Sequence, residues 1–174
     1  MLHALGYWLV TLASVLCTAN VKAQSPETET NLKAAYIYNF THYINWEAGH
    51  DDEDFVIGEI GYSGVDSALA TIARNYLVNN HRIILKHYSR PEDIGYCHML
   101  FIPEKCEFPL HSILKRLRKG VLTIGERKGY AREGVALNFV LINDKLKFEA
   151  NEKAINNMGL KASSQLLKLA ILVN

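Results

Sequence analysis

Glycines at Gly58, Gly61 and Gly64 separate an apolar run from a helix-forming stretch, a setting in which a dinucleotide phosphate could rest on a helix N-terminus. The spacing is wrong for that chemistry. The next apolar run ends in Lys86 and His87, where a ribose-binding acid would be needed. The segment reads as a strand-to-helix turn. Gly61-Tyr62-Ser63-Gly64 is not a G-x-S-x-G elbow, so Ser63 has no case as a nucleophile. No P-loop and no cyclase active-site motif occurs. His42, His81, His87, His98 and His111 are scattered singly, and only His50 clusters with acids, at Asp51, Asp52 and Asp54. A loop without ligand spacing or a rigid frame reads as a solvated acidic segment, with no metal and no cofactor expected. With neither a nucleophile–base pair nor an acid–base pair in evidence, the chain is not expected to be an enzyme.

Two cysteines need a separate argument. Cys97 opens the run Cys97-His98-Met99-Leu100-Phe101-Ile102, and Cys106 lies beyond its far end. At strand rise the two are about 15 Å apart unless the loop doubles back. A bridge needs Cα atoms within about 7 Å, so no Cys97–Cys106 disulfide is expected, although an exported chain with an even cysteine count would permit one.

Export is expected because Leu9 to Leu16 is nearly all apolar and Val21-Lys22-Ala23 ends in a signal-peptidase pattern. The expectation is a signal peptide over residues 1–23, cleavage after Ala23 and a single domain over residues 24–174. The apolar run is short for a bilayer span, so no membrane insertion is expected after cleavage. Leu16 precedes Cys17 where a lipid anchor would need a small residue. Of 19 basic residues, cleavage removes Lys22, leaving 18 against 18 acidic ones. A net charge of zero argues against a nucleic-acid partner. The basic cluster Lys115-Arg116-Leu117-Arg118-Lys119 reads as charge at a helix C-terminus.

The elements follow from periodicity. Ser25-Pro26 starts a helix carrying Leu32, Ala35, Tyr36, Phe40, Tyr43 and Ile44 on one stripe and closing near Trp46. Tyr36, Phe40, Tyr43 and Trp46 read as core rather than a ligand cage. Strands are expected at Phe55–Ile60, Arg82–Tyr88, Met99–Ile102 and Val121–Ile124, with helices at Val65–Leu77 and Leu110–Arg118. That alternation implies an α/β fold with a mixed, largely parallel sheet flanked by helices. Val135–Ile142 and Lys145–Ala150 flank Asn143-Asp144, a two-residue turn signal, and form a C-terminal antiparallel hairpin. Two closing helices follow, Glu152–Asn157 and Lys161 to about Leu172.

Several segments together resemble the YfiR-like family. Asn31-Leu32-Lys33-Ala34-Ala35-Tyr36-Ile37-Tyr38-Asn39-Phe40 with Ile44-Asn45-Trp46 is similar to the family's opening, and Val121-Leu122-Thr123-Ile124-Gly125-Glu126 to its "vLTvGd" strand. Gly134-Val135-Ala136-Leu137-Asn138-Phe139, Lys147-Phe148-Glu149-Ala150-Asn151 and the segment from Gly159 to Ala170 resemble its later motifs, in the same order. The resemblance implies a periplasmic regulator, often dimeric, that binds the periplasmic region of a membrane diguanylate cyclase. By inhibiting that enzyme it would lower cyclic-di-GMP and biofilm formation. The alternative is a periplasmic small-molecule sensor acting on another signalling protein. A ligand-sized pocket would favour the sensor, and an apolar patch near the closing motif the inhibitor. Some members carry two disulfides. Here Cys97 alone falls at such a position and its partner is missing, so the resemblance does not extend to redox control through such bridges.

Alternation along Lys145–Ala150 sends Leu146, Phe148 and Ala150 one way and Lys145, Lys147 and Glu149 the other. The charged face should be open to solvent or to a partner, because burying alternate charges is costly. The expected partner surface therefore comprises Glu149 with Leu137 and Ile155 as apolar anchors. A cap on the following helix is the competing role for Glu149.

Overall fold

The computed structural model describes residues 26–46 and 54–173; the expected signal peptide and the acidic loop at His50, Asp51 and Asp52 lie outside them. Helix α1 runs Pro26–Phe40, and strand β1, Ile44–Asn45, follows it. The helix stops short of Trp46 because successive amides step down to i−3 carbonyls at Thr41, His42 and Tyr43, tightening the last turn. Thr41 Oγ1 donates to the Tyr38 carbonyl at 2.6 Å. Strand β2 is Phe55–Ile60, helix α2 Asp66–Asn75, and strands β3 and β4 are Leu77–Val78 and His81–Tyr88. Asn79 and Asn80 join the last two with φ of 48° and 68°. Strand β5 is Met99–Ile102, helix α3 Leu110–Leu114, and strand β6 Leu122–Gly125. The chain closes through β7 Leu137–Ile142, β8 Lys145–Asn151, α4 Glu152–Asn157, β9 Lys161–Ala162, α5 Ser164–Leu169 and β10 Ile171–Val173.

Eight strands form one sheet in the order β10-β8-β7-β6-β5-β2-β4-β3, while β1 and β9 pair separately. The central strands β4, β2, β5, β6 and β7 are parallel, β8 is antiparallel to β7, and β10 is parallel to β8. The fold is thus a mixed α/β sheet, mostly parallel, with an antiparallel hairpin near the C-terminus. The Asn143-Asp144 turn carries the two positive φ values, 51° and 57°, that a tight hairpin of this twist requires.

Each face of the sheet has its own apolar layer. Ala34, Ile37 and Phe40 of α1, Leu69 of α2, Ile155 of α4 and Leu166 of α5 pack with Ile57, Phe101, Ile124, Phe139 and Phe148. On the other face Leu110 and Ile113 of α3 join Val56, Ile60, Leu100, Ile102, Tyr130 and Val135. Alternating sides, period-two strands such as Phe55–Ile60 feed both layers, which explains why all six of its residues are buried.

Two further expectations change. The last helix is six residues long, and the chain beyond it becomes β10, an edge strand on β8. Ser163 caps α5, its Oγ accepting from the Leu166 amide at 3.2 Å, and the apolar run 169–173 then gains more by pairing with β8 than by extending a helix. Helix α3 ends at Leu114, so the basic cluster follows a single turn. Lys119 Nζ donates to the Asn157 carbonyl there, tying the cluster to the end of α4.

Cys97 and Cys106 are free, buried thiols in the same apolar layer. Burial pushes the Cys97 thiol up to about 11. At pH 8 roughly one molecule in a thousand would carry the thiolate, the reactive form. We expect alkylation without reductant to be very slow on native protein and to label both residues once it is unfolded. A mass two hydrogens lighter with no label taken up would show instead that the 103–106 segment folds back to close a bridge.

Candidate partner-binding surface

The hairpin overhangs the body of the sheet. Strand β6 pairs with β7 only at Ile124–Leu137 and Gly125–Asn138, whereas β7 and β8 stay paired through Ile142–Lys145. The outer half of β7 therefore runs beyond the end of β6. Its side chains lose their burial in step: Leu137, Asn138 and Phe139 are buried, Val140 is half-buried, and Leu141 and Ile142 are exposed. The groove left beside the overhang, about 480 Å³, has one apolar wall of Phe139, Leu141, Ile142, Leu146 and Ile171.

The opposite wall is charged and stands at the C-terminal ends of β5 and β6. Lys33 Nζ of α1 lies 2.7 Å from Glu29 Oε1 and 2.8 Å from Glu126 Oε2. Burial works against the Lys33 ammonium, but the hydrogen bonds and charges of Glu126 and Glu29 outweigh it and hold its pKa above the ordinary value. Glu126 Oε1 also accepts from the Glu104 amide at 2.9 Å. Arg127 donates to the carbonyls of Glu104 and Cys106. Lys33, Glu126 and Arg127 are therefore held in place by one another and by the chain, while exposed Lys128 and Glu104 also line this side of the groove.

On the far side of the hairpin, β10 closes the sheet as an edge strand with Ile171, Leu172 and Val173 opposite Glu149, Ala150 and Asn151. Leu169 and Leu172 are more than half exposed, Ile171 about a third. Together with Leu141 and Ile142 they account for five of the exposed large apolar side chains, on the hairpin tip, the end of α5 and the closing strand. Isolated exposed leucines need no explanation, whereas a group of them along an overhanging hairpin and a sheet edge is the composition that contact surfaces share.

The residues singled out from sequence do not assemble there as a set. Leu137 and Ile155 are both 0% exposed and belong to the inner apolar layer, so neither can touch a partner in this fold. Leu137 lies opposite Ala150, on the reverse face from Glu149, and Ile155 is the buried residue that seats α4. Glu149 does face outward beside exposed Lys145 and Lys147. It does not cap α4: Asn151 does, its side chain accepting from the Ala154 amide at 2.8 Å. Glu149 Oε2 instead accepts from Asn138 Nδ2 at 3.1 Å, which links the first and second of the later motif segments across the hairpin.

Sequence reasoning missed Leu141, Ile142, Leu169, Ile171 and Leu172. A signal was present: two apolar residues directly before a two-residue turn break the alternation, so one of them must face solvent. Of the residues weighed for chemistry, His98 is a satisfied core group. Its Nδ1 accepts from the Val56 amide at 3.0 Å, Nε2 meets Tyr96 Oη at 2.9 Å, and the ring stacks on Phe55. Asp54 holds Arg82 through two hydrogen bonds of 3.1 and 3.0 Å. Trp46 is half-buried and donates to the His98 carbonyl at 3.4 Å.

Among the described residues no helix is long and apolar enough to cross a membrane. No curated protein matches the chain in sequence. The family description does match, from the second turn of α1 to the start of β10, and so takes in every element that builds the hairpin and its edge: over residues 30–171 the chain belongs to the YfiR/HmsC-like family.

Proposed function

We propose that the protein is a periplasmic regulatory subunit, exported after cleavage at Ala23 as one domain over residues 24–174, that binds and inhibits a membrane diguanylate cyclase. Family membership supports the regulatory theme, since YfiR-like proteins regulate such cyclases from the periplasm. The observation that carries the reading is the apolar strip on the hairpin tip and β10, with Glu149 between them. Leu141 and Leu172 would enter the partner's apolar surface from one face of the hairpin, while Ile142 and Ile171, beside Lys145, Lys147 and Glu149 on the other face, would meet its polar rim and fix register. A second copy of the chain could use the same edge, and competition between the two would then couple dimer formation to inhibition.

Deleting the gene should raise cellular cyclic-di-GMP at least twofold and increase surface attachment. Complementation with the wild-type gene should reverse both, and complementation with Leu172→Glu should not, although the purified variant keeps the wild-type Tm because the side chain is already in water. Unchanged cyclic-di-GMP on deletion would sink the cyclase reading. Full complementation by Leu172→Glu and by Leu141→Glu would move the contact surface elsewhere.

The groove favours a second reading, a small-molecule sensor acting on another signalling protein. Its volume lies in the range of ligand pockets, and its two walls differ in polarity. In that case ligands with one apolar and one polar end should raise Tm, and Ile142→Glu, which places charge on the exposed part of the apolar wall, should abolish the rise.

A further inference from the structure

Strand β2 reads Phe55-Val56-Ile57-Gly58-Glu59-Ile60, and Glu59 is its one charged side chain. Alternation puts Glu59 on the face of Phe55 and Ile57, which belong to the α1 and α2 layer. Its side chain is 5% exposed, and neither carboxylate oxygen has a hydrogen-bond partner. A carboxylate in that position needs either a proton or a cation.

Two other groups converge on it. In the parallel register His87 of β4 lies directly beside Glu59. The turn from Gly61 to Val65 brings Asp66, the first residue of α2, back over the strand ends. His87 Nδ1 is 3.7 Å from Glu59 Oε2, and Nε2 is 3.5 Å from Asp66 Oδ1. Taking one donor atom from each residue, all three lie within 4.8 Å of one another. These separations are long for N–H···O hydrogen bonds. They run to different ring nitrogens, so around one ion, with a single nitrogen ligating, the three donors need side-chain adjustment of about an ångström from their 4.8 Å envelope to reach the spacing of about 3.4 Å between neighbouring donors around a tetrahedral cation with bonds near 2.1 Å. The exposed Tyr62 ring stacks on His87 at 6.0 Å between centroids.

We infer that Glu59, Asp66 and His87 form a binding site for a divalent first-row cation of the zinc class, with solvent completing the coordination. Two carboxylates balance the charge of a dication, so the buried end of the site becomes neutral. An imidazole in the set favours zinc-like ions over magnesium or calcium. One ring nitrogen ligates, and the other keeps its proton for an outer partner, as metal-bound histidines usually do. Asp66 and His87 are 35% and 42% exposed, so the cation has a path in from solvent. Without it, burial first and then the adjacent Asp66 carboxyl push Glu59 up to about 9, and a proton does the neutralising. The site is separated from β7 by β5 and β6 and does not depend on the regulatory reading above.

The test uses the purified protein, stripped with a chelator and dialysed, then titrated with zinc chloride against a chromophoric competitor. One equivalent should bind with Kd at or below about 1 μM, and zinc a hundredfold above Kd should raise Tm by about 5–10 °C. Cobalt in the same site should show the visible absorption of a low-symmetry, near-tetrahedral ion. His87→Ala should weaken binding at least tenfold and remove that absorption. Glu59→Gln should abolish binding while the cation-free Tm holds or rises, because a neutral side chain of the same shape replaces the buried acid. His111→Ala, at an exposed and distant histidine, should change nothing. Absence of saturable one-to-one uptake would overturn the proposal. So would uptake that survives both Glu59→Gln and His87→Ala, since the ions would then sit on other histidines.

Discussion

Replacing Ile155 with alanine should destabilise the protein by about 2–5 kcal/mol, the range for truncating a fully buried aliphatic side chain. Ile155 is 0% exposed and is the buried residue of α4. A helix of six residues has no stability of its own, so its seat depends on that side chain and on the Asn151 cap. Truncation leaves a cavity against the layer that holds Leu137, Ala150 and Leu160, and the neighbouring sheet cannot collapse to fill it. For a chain of this size the loss corresponds to a Tm lower by about 5–15 °C. Urea denaturation should show a lower midpoint with an unchanged slope. A loss below about 1 kcal/mol would mean that α4 does not pack as described. Any weakening of partner binding in this variant must first be corrected for the unfolded fraction.

The same residue shows where sequence reasoning stops. Periodicity identifies Ile155 as apolar on a short helix, but an apolar residue serves a core or an interface equally well. What decides is which other elements arrive to cover it: α4 packs against β9, and β9 in turn pairs with β1 from the other end of the described chain. Alternation on β8 did resolve which of Leu146 and Lys147 is inside, because a period of two assigns faces without tertiary knowledge. Leu137 obeyed the same rule on β7 and lies on the inner face, so choosing it as an anchor mistook adjacency on the strand for adjacency on the surface.

Long strands and the main hairpin were legible, since Phe55–Ile60 and Met99–Ile102 are apolar runs and Asn143-Asp144 supplies a tight turn. The two- and three-residue strands β1, β3, β9 and β10 were not. Each is shorter than any periodic window, and all but β3, which pairs with the adjacent β4, depend on a partner distant in sequence. The stretch from Leu169 to Val173 is uniformly apolar, and such a run fits a buried helix or a strand alike. The Glu59–Asp66–His87 cluster was equally hidden, because its members come from two strands and a helix start. The one sequence signal was a glutamate inside an otherwise apolar strand.

Phe148→Ala should cost about 3–5 kcal/mol, and its effect should not add to that of Phe40→Ala. Phe148 is 3% exposed and stands opposite Phe139 across the hairpin. Its ring meets Phe40 edge-on at 5.0 Å between centroids and Tyr36 at 5.8 Å, while Phe40 stacks on Phe139 at 6.0 Å. These rings carry the contact between the first helix and the last hairpin, and each aromatic pair adds about 0.5–1.5 kcal/mol beyond simple burial. Removing either member of the Phe40–Phe148 pair forfeits the shared contact, so the double variant should lose less than the sum of the two singles by about 0.5–1.5 kcal/mol. Equilibrium denaturation of the two singles and the double measures this directly. Additivity within about 0.3 kcal/mol would show that the rings are not coupled. The hairpin would then owe its place to β6, which pairs with β7 at only two positions, and to β10, which reaches only the far end of β8, and neither would hold the overhanging tip in a fixed pose.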